Sequence, residues 1–179
     1  MRHIDEVYPF QVRKVSPVEL PLVLQLLKEA ATAIHQKGLD QWNTWLNPDQ
    51  ESIAWIEEGI ANQEFYFVEN ISNELMGMYR LSSADERYWG QQSAKAGYVH
   101  SLVVRKQFAG ENLGTKILNY IGDCLEEQAI LLLRLDCNAA NKWLCLYYES
   151  QGFAQVGTKQ MPHSLNNLYE KVLGRLPVV

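Results

Sequence analysis

The chain has 179 residues, 47% of them hydrophobic and 21% charged, and a formal net charge of -5. That size and balance are those of one soluble globular domain with a substantial core. The negative charge, with no stripe of Lys and Arg to override it, argues against a nucleic-acid binder. No apolar run reaches the roughly 18 residues that a membrane helix needs, and Met1-Arg2-His3-Ile4-Asp5-Glu6 lacks a signal-peptide hydrophobic region, so a cytoplasmic protein without membrane contact is expected.

Phe10 to Val15 alternates as a first strand. Ser16-Pro17 then opens a helix, with Ser16 as N-cap and Pro17 at the first helical position. Leu20, Val23, Leu24 and Leu27 carry it to Ala33 or beyond, where Lys37-Gly38 stops it. Gln41-Trp42-Asn43-Thr44-Trp45 is an aromatic-rich connection, and a second helix is expected over Pro48 to Ala61 with Ile53, Ile56 and Ile60 on its inner side. Phe65 to Val68 and Leu75 to Leu81 read as an antiparallel pair around the turn Glu69 to Asn73. Ser82 to Lys95 is polar and irregular. A strand over Ala96 to Val104, a helix over Leu113 to Glu127, a strand over Ala129 to Asp136 and a helix over Ala140 to Ser150 follow, and strands Phe153 to Lys159 and Asn167 to Val172 complete the chain. This order implies an α/β (α+β) fold with a mixed sheet and helices on its faces, as a single domain over 1–179 with an extension at 1–9 and a tail at 174–179.

Cys124, Cys137 and Cys145 form no CxxC pair and sit among apolar neighbours, which fits reduced, structural thiols. His3, His35, His100 and His163 are scattered, with no His-x-x-x-His spacing, so no metal site is expected.

The most informative stretch lies between the strand ending at Val104 and the helix near Gly114: Ala109-Gly110-Glu111-Asn112-Leu113-Gly114. Two glycines, and an Asn that tolerates the left-handed region, let several N–H groups turn toward one concavity at a helix start, a place suited to a pyrophosphate. Glycines at a strand-to-helix turn serve packing equally well, so the spacing alone leaves both readings open. Gly114-Thr115-Lys116 has the wrong order for a P-loop, and no Gly-x-Gly-x-x-Gly occurs, which argues against a nucleoside triphosphatase or a dinucleotide enzyme.

Downstream, Asn141-Lys142-Trp143-Leu144-Cys145-Leu146-Tyr147-Tyr148-Glu149-Ser150-Gln151-Gly152-Phe153 supplies a second motif. Together the two resemble the GNAT N-acetyltransferase superfamily, with its Gln/Arg-x-x-Gly-x-Gly/Ala turn and its later Asn-containing, Tyr-bearing helix running into Gly-Phe. The resemblance spans Phe10 to Leu173. It implies a mostly antiparallel central sheet of about seven strands with helices on both faces, and acetyl-CoA as cofactor. Leu102, Val103 and Val104 then match the strand whose backbone pairs with the pantetheine arm and polarises the thioester carbonyl. Ala109, Gly110, Glu111, Asn112, Leu113, Gly114 and Thr115 match the pyrophosphate cradle, Asn141 the Asn that contacts the cofactor arm, and Tyr148 the Tyr near the thioester sulfur. Ala109 stands where the family usually has Gln or Arg, and Asn112 where it usually has the first signature glycine.

The implied reaction carries acetyl from acetyl-CoA directly to a primary amine of a small molecule or peptide, with no covalent enzyme intermediate. Tyr148 is the candidate general acid, a phenol able to donate a proton to the departing thiolate; the other reading is an aromatic at a helix-core boundary. Asn141 equally suits a plain helix start. His100 is the candidate base, sharing a face with Tyr98 and Leu102 by period two, with a histidine satisfied inside the sheet as the competing reading. Gln41, Trp42, Tyr79, Arg80 and Glu86 are the candidate acceptor residues. Trp42 and Trp45 serve as well to anchor their loop, and Asp85 and Glu86 either guide a cationic amine or are solvated loop acids. A CoA-binding module without acceptor chemistry is the alternative function, and a homodimer is compatible with the resemblance.

Overall fold

The computed structural model of the protein describes residues 8–174, so the expected extension at 1–9 and tail at 174–179 fall mostly outside the described residues. It has seven strands in the order β1-β2-β3-β4-β5-β7-β6. The chain forms two compact units, residues 8–81 with Ser101–Lys116, and Ser82–His100 with residues 117–174.

The first unit begins with β1 (Gln11–Lys14), a 3-10 turn over Pro17–Glu19 and α1 (Leu20–Gln36). Ser16 starts this segment as expected: the Glu19 carboxylate accepts from the Ser16 amide at 2.9 Å and from its hydroxyl at 3.1 Å. Gly38, at φ +76, lies just past the end of α1. A 3-10 turn over Asn43–Leu46 leads to α2 (Gln50–Ala61), which Asp49 caps by accepting from the Ser52 amide. Next come β2 (Phe65–Glu69) and β3 (Leu75–Ser82), antiparallel to each other, with β1 antiparallel on the far side of β2. The helical spacing of α1 and α2 and the alternation of β2 converge on one core: Val23, Leu26, Leu27, Ile56, Ile60, Phe65, Phe67 and Met78, joined by Val103.

Val103 belongs to β4 (Gly97–Val104), which contributes its first half to the second unit and its second half to the first. The join is Ser101, whose φ of +51 is outside the extended region. Such a residue breaks the extended backbone on which period-two alternation depends. The expectation that His100 shares one face with both Tyr98 and Leu102 is therefore corrected, because the count cannot be carried through Ser101.

The second unit holds most of α4 (Leu113–Glu127), then β5 (Leu132–Asn138), α5 (Lys142–Ser150), β6 (Ala154–Met161) and β7 (Ser164–Val172). β5 runs parallel to β4 at Gly97↔Leu133 and Tyr98↔Arg134 and antiparallel to β7, which is antiparallel to β6. The sheet is thus mixed and mostly antiparallel, as expected. Tyr98, Ile117, Ile121, Leu133, Leu135, Phe153 and Tyr169 are buried here.

Several bounds differ from expectation, β7 among them, which begins at Ser164 and not at Asn167. Ser82 to Lys95 is not wholly irregular, since Glu86–Trp89 forms a short helix, α3, capped by Asp85 accepting from the Tyr88 amide at 3.2 Å. The strand expected from Ala129 begins only at Leu132. Ala129, at φ +57, and Ile130 instead close the end of α4 through bonds to the Glu126 and Leu125 carbonyls, which an apolar run does not announce. Among the described residues no helix is long and apolar enough to cross a membrane.

Candidate active site

In the first unit the glycine turn has the backbone that an anion cradle requires. Gly110 lies at φ +88 and Asn112 at φ +54, so the position where the sequence departs from glycine does demand the left-handed region that Asn tolerates. Residues 109–112 are exposed. The Lys116 amide bonds to the Asn112 carbonyl at 3.0 Å and so closes the first turn of α4. The amides of Leu113 and Gly114 precede that closure and, by helix geometry, have no backbone acceptor within the helix. The main chain of residues 110–114 thus fits a pyrophosphate, with no need for a side chain at Ala109, whose amide bonds to the Lys106 carbonyl at 3.1 Å.

The strand feeding this turn is held by a close backbone contact. Arg105 donates its amide to the Met76 carbonyl at 2.9 Å, and the Val103 carbonyl oxygen lies 2.3 Å from where a Cβ on Gly77 would stand. The Val103 carbonyl and the Arg105 amide thus face β3, while the Arg105 carbonyl accepts from the Phe108 amide at 2.9 Å. Alternation along an extended strand sends the N–H and C=O of Leu102 and Val104 to the opposite edge, where they suit an extended polar ligand.

In the second unit Asn141 and Tyr148 ride on α5. Asn141 caps the helix: its side-chain oxygen accepts from the Leu144 amide at 3.1 Å and its carbonyl from the Cys145 amide at 3.0 Å, so the helix-start reading is borne out. Tyr148 is buried, edge-on to Phe153 with ring centroids 5.8 Å apart and tilted against Tyr169 at 6.1 Å. Burial, reinforced by the neighbouring Cys137 thiol, pushes its phenol well above the ordinary tyrosine range, so Tyr148 is protonated at any working pH. Tyr147 is the more exposed neighbour and stacks flat on Trp143, interplanar angle 7°. Cys137 and Cys145 are free and buried with their sulfurs 3.5 Å apart.

His100, also in the second unit, is not isolated. Its Nε2 lies 3.4 Å from Asp85 Oδ2, and Asp136 on β5 joins them so that one polar atom of each residue lies within 4.8 Å of the others. Burial pushes the Asp136 carboxyl up to about 6 from 3.8; Asn166, donating to it, opposes the shift, and nearby Asp85 adds to it. A raised carboxyl contributes stability that is full below its unfolded value of about 3.8 and is lost as pH rises through about 6. Replacing Asp136 by Asn is accordingly expected to stabilise the protein on the order of 3 kcal/mol at pH 8, and hardly at all at pH 4. Thermal unfolding of both forms at the two pH values checks this, and equal gains at both would refute it.

The candidate acceptor residues are dispersed. Arg80 is buried over the Trp55 ring at 4.0 Å, with Nε on Glu64 at 2.9 Å and a further bond to the Trp55 carbonyl. Tyr79 is buried and stacked on Tyr66 at 5.0 Å. These contacts give both residues a packing role. Trp42, at φ +59, and Trp45 pack against the first unit's core, as the anchoring reading expects. Gln41 is half-buried nearby, and Glu86 is exposed on α3.

Sequence reasoning did not single out Asp136, Ser101 or Gly77. Only Asp136 left a signal, as an acid ending the run Leu132-Leu133-Arg134-Leu135 on a strand that is otherwise mostly buried.

The model of the acetyltransferase (GNAT) family matches residues 25–153. The uncharacterized N-acetyltransferase YesJ of Bacillus subtilis is 27% identical over 152 residues, covering 82% of this chain and 81% of YesJ. A GNAT-family acetyltransferase from Listeria monocytogenes superposes with a TM-score of 0.76 at 25% identity, over 92% of this chain and 95% of that one. The PaiA N-acetyltransferase of Thermoplasma acidophilum, solved in complex with coenzyme A, gives 0.67 at 16% identity over 92% and 99%. With the family model covering both the glycine turn and the Asn141 to Phe153 motif, the chain belongs to the GNAT family of acetyltransferases, which use acetyl-CoA.

Proposed function

We propose that the protein transfers acetyl from acetyl-CoA directly to a primary amine of a small molecule or peptide, in a reducing cytoplasm. The observation that carries this reading is the turn at 109–114, where the positive φ of Gly110 and Asn112 precedes the Leu113 and Gly114 amides, which the first turn of α4 leaves without backbone acceptors. Bound there, acetyl-CoA supplies an activated acyl group. The Leu102 and Val104 backbone serves the pantetheine arm and the thioester carbonyl, where fixed N–H dipoles favour the charge that develops on oxygen. Asn141 keeps α5 capped and contacts the cofactor arm. His100 takes the proton that the amine gives up as the N–C bond forms, and Tyr148 donates to the sulfur as the C–S bond breaks. Residues 41–45 and Glu86 contribute to acceptor choice.

Acetyl-CoA is expected to raise Tm in a concentration-dependent way, and a panel of a polyamine, an amino acid, an aminoglycoside and a peptide amine is expected to yield one acetylated product class. Tight binding with no product across the panel would instead identify a CoA-binding module, and no rise in Tm would remove both readings. Direct transfer also requires that turnover survive replacement of Cys124, Cys137 and Cys145 together by Ala. A folded triple variant that binds acetyl-CoA and does not turn over would sink it.

A further inference from the structure

Asp85 before α3, His100 on β4 and Asp136 on β5 are far apart in sequence and adjacent in the second unit, with one polar atom of each inside a 4.8 Å span. Each acid is fixed from its own side. The Tyr88 amide holds Asp85 Oδ1 at 3.2 Å, and the Asn166 amide group holds Asp136 Oδ2 at 2.7 Å. Arg87, whose charge acts on Asp136, and the Tyr88 ring, whose centroid is 6.4 Å from that of His100, also lie nearby. Asp85 is only 9% exposed, and the Asp136 carboxyl is shielded enough to hold its proton up to about pH 6.

Two shielded carboxylates at this separation repel each other, and a positive charge between them relieves the repulsion. The third member of the cluster is an imidazole, which gains such a charge by accepting one proton. A histidine that only filled space would need neither acid, and Asn at position 136 would keep the bond to Asn166 without burying a charge.

We propose that Asp85 and Asp136 are positioning residues for His100: Asp85 orients the ring from its Nε2 side, and the two carboxylates together favour the imidazolium that forms when His100 takes the proton from the acceptor amine. The proposal rests on the acetyltransferase reading given above, which makes that proton available. It adds two residues to the base and assigns the acids to proton uptake.

The test follows the His100 imidazole resonances across a pH titration, by NMR on the full chain without substrate, in the wild type and in Asp85→Asn and Asp136→Asn. The midpoint is expected to fall by about one pH unit in each variant. On whichever panel amine is acetylated, the acid limb of kcat/KM is expected to move with it while KM for acetyl-CoA stays unchanged. Asp136→Glu is expected to restore the midpoint. An unmoved midpoint in both folded variants would overturn the proposal. So would a rise in wild-type Tm with Zn2+ or Mn2+ that Asp136→Asn abolishes, since the cluster would then be a metal site. Failure of the wild type to bind acetyl-CoA sinks the functional reading and leaves the titration result standing, so the two failures are distinguishable.

Discussion

Gly77→Ala is expected to lower stability by about 3 kcal/mol, a fall in Tm of roughly 10 °C for a chain of this size, and to weaken acetyl-CoA binding with it. The added Cβ would stand 2.3 Å from the Val103 carbonyl oxygen, 3.3 Å from its carbon and 3.4 Å from the Val104 Cα. All three are backbone atoms, so no side chain can rotate away, and relief requires that the second half of β4 leave β3. The site cannot absorb the change cheaply, because the β2–β3 register already shifts at Val68/Glu69, opposite Gly77 and Leu75. The Arg105 to Met76 bond lies immediately beside it. Displacing this segment moves the Leu102 and Val104 amides proposed to meet the cofactor, so stability and affinity fall together. Chemical unfolding and acetyl-CoA titration of the same variant check the coupling, and a variant with wild-type Tm would show that the strands tolerate the methyl.

Tyr148→Phe is expected to cut kcat about 100-fold, the low end of what a positioned general acid contributes, while leaving acetyl-CoA affinity and Tm near wild type. The phenyl ring keeps the edge-on contact with Phe153 and the tilt against Tyr169, so packing is conserved and only the hydroxyl is lost. Burial holds that hydroxyl protonated, which makes Tyr148 a hydrogen-bond donor at every working pH. Its loss is therefore expected to lower the plateau of the pH–rate profile without moving either limb. Tyr147→Phe is the control, since Tyr147 stacks on Trp143 and lies outside the register that aligns Tyr148 with Phe153. Equal losses in both variants would show that the helix face matters and that the Tyr148 hydroxyl does not.

The parts of the fold legible in the sequence are those fixed by local rules. Periodicity located α1, α2, α4 and α5, because a helix that buries one face must repeat its apolar residues at helical spacing. Ser16-Pro17 and Lys37-Gly38 marked the ends of the first helical segment, since capping is satisfied within a few residues. Where two local signals competed, the reading slipped: Ala129 and Ile130 are apolar, yet they finish α4. Ser101 was invisible because a residue at φ +51 in a strand carries no compositional mark when it is not glycine.

The candidate site divides the same way. The turn at 109–115, Asn141 and Tyr148 could be named as candidates because each lies in a short contiguous motif, and Asn112, of a residue type that tolerates positive φ, does adopt it. The sequence by itself determined the family and the cofactor class. Tertiary structure alone decided that Asp85, His100 and Asp136 form one cluster, that Gly77 is pressed by the Val103 carbonyl, and that Arg80 is enclosed by Trp55 and Glu64. The reason is physical. Charge coupling, burial and backbone contact depend on distances of a few ångströms between residues that strand pairing and helix packing bring together, and no local spacing in the chain encodes them.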